Sequence, residues 1–224
     1  MRHALILLGL CAVLLAMADS EKDPFDPLKA VEEFDALVQK RLADPLAPEF
    51  GMQRIVDVRG LGRHLVSELE HGGLRTRMTH SFHPKDEVER NVVSKLVAHN
   101  VEMGLYLVGA AVLGRMTERH DARALRGPGM VTPGKGLPRG TLPPDPDALP
   151  GLQAIYPLAH RAMRTFRDGG KGFEAKHGTW NIAARPTLAS DQRCVDCHNA
   201  TGQTGRTFKR GDALGGVLYA YRTR

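Results

Sequence analysis

Gly211-Asp212-Ala213-Leu214-Gly215-Gly216-Val217-Leu218-Tyr219-Ala220-Tyr221 is the stretch on which the fold is decided. Glycine and aspartate punctuate a turn, and the uncharged run after it holds Val217, Tyr219 and Tyr221, which suit a pleated surface. A strand over 215–221 is therefore predicted. Working back from it, residues 171–184 predict further strand structure ahead of Cys194-Val195-Asp196-Cys197-His198. Before those strands, Leu152, Ile155, Tyr156, Ala159, Met163 and Phe166 recur at helical spacing. They stop at Gly169-Gly170, where glycine accepts the left-handed conformation. Strands near the end with helices upstream predict an α+β domain, an antiparallel sheet with helices packed on it.

Farther out the signals alternate. Residues 127–151 are dense in Gly and Pro, with Pro128, Pro133, Pro138, Pro143, Pro144, Pro146 and Pro150, which predicts a long surface loop. The nearly uncharged run 103–113 predicts a buried strand. Pro84 followed by Asp86, Glu87, Val88, Val92 and Leu96 predicts a helix with acidic residues in its first turn, where the dipole favours them. Asp26-Pro27 followed by Leu28, Val31, Phe34, Leu37, Val38 and Leu42 predicts another, capped by Asp26.

At the N-terminus, Arg2 and His3 precede an apolar run over 4–15 that ends in Ala16-Met17-Ala18. A charged flank, a short apolar core and small residues at 16 and 18 predict a secretory signal peptide over 1–18. The remainder, 19–224, is expected to form one domain. It divides into a helical N-terminal portion over 19–126, the Gly/Pro-rich loop over 127–151 and a cofactor-bearing portion over 152–224. No other stretch is apolar enough for a membrane span, and a periplasmic or secreted location is expected. Of the 3 cysteines, Cys11 falls in the leader, so no disulfide framework is available. The formal charge of +6 is spread along the chain and no basic run is interleaved with aromatics. That points to no nucleic acid, and weakly to an acidic partner.

The two remaining cysteines need a common explanation. Two thiols three positions apart can add across the two vinyl groups of a haem, and an imidazole directly after them can reach the iron from the same side. Cys194, Cys197 and His198 are accordingly expected to hold one covalently attached haem c, with His198 as an iron ligand. Three alternatives compete. A zinc site would need two more ligands, such as His160 and His177. A thioredoxin-like pair would sit at a helix N-terminus inside a βαβ pattern. An inert disulfide would leave His198 unexplained.

Ala184-Arg185-Pro186, the cysteine motif and Gly211-Asp212-x-x-Gly215 leading into the last strand, in that order, resemble single-haem c-type proteins with a PAS-like fold. Such proteins include exported haem proteins and sensory modules. The resemblance covers roughly the last seventy residues. It implies a PAS-like antiparallel sheet and a haem cofactor. Some members of that family use a cysteine as second axial ligand, and here none remains after the leader. His80 and His83 are the expected candidates for the second face, because they flank Phe82 and precede Pro84 at the entry to a helix. His177 follows. Arg185 is expected to pair with a haem propionate, Met163 to fill the core, and Trp180 to be buried with its indole nitrogen partnered. Electron transfer in the periplasm with a redox partner protein is the leading functional expectation. A haem-based redox or ligand sensor acting through a partner is the second, and a peroxidase the third.

Overall fold

The computed structural model describes residues 24–43, 56–57, 66–70, 73–77, 80–82, 84–113, 125–132, 148–200 and 206–224. The predicted leader lies outside these. The first described element is helix α1, Pro27–Ala43. Asp26 caps it, its Oδ1 accepting from the Leu28 N–H at 2.9 Å, and Pro27 stands at the first helical position, where its missing N–H costs nothing. Ala30, Val31, Phe34 and Val38 form the buried stripe. Strands β1 (Val56–Asp57), β2 (Val66–Glu70), β3 (Gly73–Arg77) and β4 (His80–Phe82) follow. Helix α2, Glu87–Ala98, is capped by Asp86, whose carboxylate accepts from the Glu89 N–H. Strand β5, Val101–Gly109, runs into a 3-10 turn at Ala110–Leu113. Then come β6 (Leu125–Met130), helix α3 (Leu152–Arg167), β7 (Phe173–His177), β8 (Trp180–Leu188), helix α4 (Gln192–Ala200) and β9 (Ala213–Thr223).

Among the described residues seven strands form the main sheet in the order β1-β4-β6-β5-β9-β8-β7, and β2 pairs with β3 apart from it. From β6 to β7 every pairing is antiparallel. Taken in chain order, those five strands lie 2-1-5-4-3, with α3 connecting the second to the third. The domain is α+β, with the PAS-like antiparallel sheet and packed helices that the resemblance implies. At its margin β4 joins β6 in parallel, and β1 joins β4.

Side-chain alternation along β9 builds two cores. Leu218 and Ala220 face α3 with Tyr106, Trp180, Ile182, Met163 and Phe166. Val217, Tyr219 and Tyr221 face α1 with Phe34, Phe82, Met103 and Leu105. Helices α1 and α2 are joined by the ion pair of Arg41 with Glu89 and by Lys95 with Glu33 at 2.8 Å.

The N-terminal helical portion holds α1 and α2 together with the strand read over 103–113 and the short β1–β4 segments. One expectation about the chain's middle is corrected. The Gly/Pro-rich stretch is not a loop from 127 onward, because Gly127, Pro128 and Gly129 belong to β6. The reason lies in the ladder. Arg126 pairs with Leu107 and Gly129 with Leu105, so Gly127 and Pro128 together oppose Tyr106. This is a bulge, where a residue without an N–H breaks no further bond. Gly127 there has φ +129° and its peptide to Pro128 is cis. At the far end of the stretch Ala148 and Leu149 are buried, and Pro150 accepts a hydrogen bond from the Tyr106 hydroxyl at 2.6 Å.

Candidate functional site

The cysteine motif lies on α4, between β8 and β9. Asp191 starts the helix: its Oδ1 accepts from the Arg193 N–H at 2.8 Å, and its carbonyl accepts from the Cys194 N–H at 3.1 Å. The Arg193 guanidinium binds the same carboxylate through Nε and Nη2, both at 3.0 Å. These bonds, side chain first and backbone second, hold the Asp191 carboxyl down at about 2. Gln192 and Asp196, one turn apart, are joined at 2.7 Å on the solvent side.

A helix advances about 100° per residue, so Cys194, Cys197 and His198 share one arc of roughly 100°. Val195, next to that arc, is buried with Ala189, Phe208 and Leu214, and Cys194 and Ala110 pack against this small cluster. Val195 thus anchors the helix at the end of the sheet where β9 begins and β5 ends. Cys194 is half-buried, Cys197 is exposed, and both thiols are free. Side chains at i and i+3 on a helix keep their Cβ atoms about 5–6 Å apart, wider than the roughly 3.8 Å of a disulfide. An inert disulfide would require the two Cβ atoms to draw closer than this spacing.

The His198 ring meets Phe208 edge to face, centroids 5.8 Å apart at 84°. Partial burial lowers its pKa and favours the neutral imidazole. Asn199 joins α4 to the segment carrying Phe208: its Nδ2 donates to the Phe208 carbonyl at 3.1 Å, and its Oδ1 accepts from the Phe208 N–H at 2.7 Å. No sequence signal singled out Asn199 or Phe208, which are separated by nine positions and meet only in the fold.

The donor set fits a covalently attached haem c: two free thiols one turn apart, a neutral imidazole on the same arc, and an apolar cluster beneath. It fits a zinc site less well. Among the described residues no group of three or more His, Cys, Asp or Glu is placed to hold a metal ion, so His160 and His177 are not brought to the cysteines. The pair does sit on a helix that follows a strand, but that strand belongs to an antiparallel sheet rather than a βαβ unit.

The other expected site residues are not part of α4. His83 and the side chain of His80 are outside the described residues. The main chain of His80 is on β4, with the three strands β6, β5 and β9 between it and β8. Through the pairs His80 with Gly129, Gly129 with Leu105, Leu105 with Tyr219 and Tyr219 with Ala183, it is level with Ala183. Four strand spacings amount to roughly 19 Å, and α4 begins beyond Leu188, roughly 17 Å farther along. The sheet does not bring His80 to the motif. His177 closes the β7–β8 hairpin opposite Trp180, and His99 stacks on Phe25 at 3.9 Å.

Arg185 is turned toward carboxylates of the protein: Glu32 on α1 at 2.7 Å and Glu174 on β7 at 3.6 Å. Met163 fills the core as expected. Trp180 is buried too, but among the described residues its Nε1 has no hydrogen-bond partner, contrary to expectation, and the Arg222 guanidinium lies over its ring at 4.4 Å. Among the described residues no helix is long and apolar enough to cross a membrane. Comparison with family models, with curated proteins and with solved structures finds no match to this chain.

Proposed function

We propose that this chain is an exported single-haem c-type protein that transfers electrons in the periplasm, joined to its haem through Cys194 and Cys197 and holding the iron on one face through His198. The observation that carries the reading is that all three side chains share one arc of α4, with both thiols free and the imidazole held toward its neutral form. A bound haem c would supply a one-electron couple.

The rest is the work of the chain's own residues. Asp191 starts the helix so that Cys194 follows in its first turn, and Val195 seats it on the end of the sheet. Cys194 faces the packed cluster while Cys197 faces solvent, so a group joined to both would have one edge against protein and one open to a partner. The formal charge of +6 suits an acidic redox partner. The leader read over 1–18 suits export, and an intact mass without it is expected from the native host.

The test is expression beside an intact haem-attachment system. Wild type should give a haem-staining band on a denaturing gel, and Cys194→Ala and Cys197→Ala should each prevent normal attachment, because each thiol supplies one thioether. An unstained wild-type band overturns the proposal. Carbon monoxide then separates the functions: an unchanged spectrum of the reduced protein supports electron transfer, and a shifted one moves the reading to a ligand sensor or a peroxidase.

A further inference from the structure

We infer that Asn199 is a positioning residue for the axial imidazole: it clamps Phe208, and the clamped ring sets the orientation of His198. The inference rests on the haem reading above and adds to it a residue that the attachment motif does not contain.

A primary amide presents a donor and an acceptor side by side, so it can satisfy both main-chain groups of one residue. Asn199 does this for Phe208, donating to its carbonyl at 3.1 Å and accepting from its N–H at 2.7 Å. With its main chain gripped and its side chain 2 % exposed among Ala189, Val195 and Leu214, Phe208 has little freedom to turn.

The far side of the same segment is held independently. The Lys209 N–H donates to Asp212 Oδ2 at 3.0 Å, and Arg206 reaches the same carboxylate oxygen at 3.4 Å. Ala189 N–H to Asp212 carbonyl at 2.9 Å and Gly211 N–H to Ala189 carbonyl at 3.0 Å tie the turn to the residue after β8. Phe208 is therefore fixed with respect to both α4 and the sheet. Its contact with His198, at 5.8 Å and 84°, is the edge-to-face arrangement that aromatic rings favour. Groups that orient a metal-bound imidazole tune the metal through it. The clamp would set the plane of the imidazole before any iron is present.

The experiment uses the full haem-loaded chain. Asn199→Ala removes both bonds, Asn199→Asp keeps only the acceptor, and Phe208→Leu keeps apolar bulk without the ring edge. The readouts are haem stain, midpoint potential and the ferric electron paramagnetic resonance g-values. Asn199→Ala and Phe208→Leu are expected to stain like wild type while shifting the potential and broadening the g-values, with Asn199→Asp between Ala and wild type. A purely structural role would lower stability and leave potential and g-values unmoved. That result in both Asn199→Ala and Phe208→Leu overturns the inference while leaving the haem reading intact. If Asn199→Ala does not fold, Asn199→Asp and Phe208→Leu decide it by the same readouts. An unstained wild type overturns the haem reading itself, and this inference with it.

Discussion

Tyr219 is wholly buried beneath α1, and its hydroxyl donates to Asp35 Oδ1 at 2.7 Å, where Gln39 Nε2 also donates at 3.1 Å. Burial raises the Asp35 carboxyl above its ordinary range, while the bonds from Tyr219 and Gln39 and the charge of Arg185 pull it back without cancelling the rise. The folded state therefore binds this proton more tightly than the unfolded chain does. Its contribution to stability is complete below the ordinary carboxylate pKa and is lost as pH rises through the elevated folded value. Asp35→Asn keeps an acceptor for Tyr219 and removes the titration. It is expected to melt higher than wild type at neutral pH and to lose part of the decline in stability that sets in as pH rises above the ordinary carboxylate range. Thermal unfolding across that range checks it, and identical slopes would assign the decline to other groups. The sequence marked Tyr219 as part of a strand, and nothing in it singled out Asp35. Their pairing spans 184 positions, and no local pattern encodes it.

Strand β9 is the element on which the two cores are built, and the glycines at its entry make room for what packs on it. Gly215 and Gly216 lie inside the strand, as the reading over 215–221 has them, opposite Gly109 and Val108 of β5. At Gly216 an added Cβ would stand 2.8 Å from Phe166 Cε2 and 3.0 Å from the Arg185 carbonyl oxygen. The absence of a side chain thus lets the end of α3 settle directly on the sheet. Gly216→Ala should force α3 outward and cost about 1–3 kcal/mol, read as a lower urea midpoint. A midpoint equal to wild type would mean that Phe166 swings aside freely. Helices α1, α2 and α3 were legible in the sequence, because Asp26-Pro27, Asp86 and Gly169-Gly170 are local stop and start signals; α4 was not, because it buries Val195 and shows no apolar stripe. Nor was strand β6, because the bulge at Gly127 and Pro128 is defined only by its pairing with β5.

At the scale of the whole molecule, the N-terminal helices and the sheet form one packed unit. Phe34 of α1 is fully buried, edge-on to Phe82 at 4.8 Å and to Tyr219 at 6.0 Å. Phe34→Ala should remove about 3–5 kcal/mol without touching α4, so a less stable protein that still stains for haem is expected. Urea unfolding beside a stained gel measures both, and a loss of stain in folded protein would link α1 to the site. By itself the sequence determined the α+β class, the starts of α1 and α2 and the closing strand. These depend on neighbours within a turn or on alternation along one strand. The 2-1-5-4-3 strand order, the remoteness of His80, the diversion of Arg185 to Glu32 and the Asn199 grip on Phe208 were decided by the tertiary structure alone. Each depends on which distant segments the burial of two apolar faces brings together, and that choice is made by the chain as a whole.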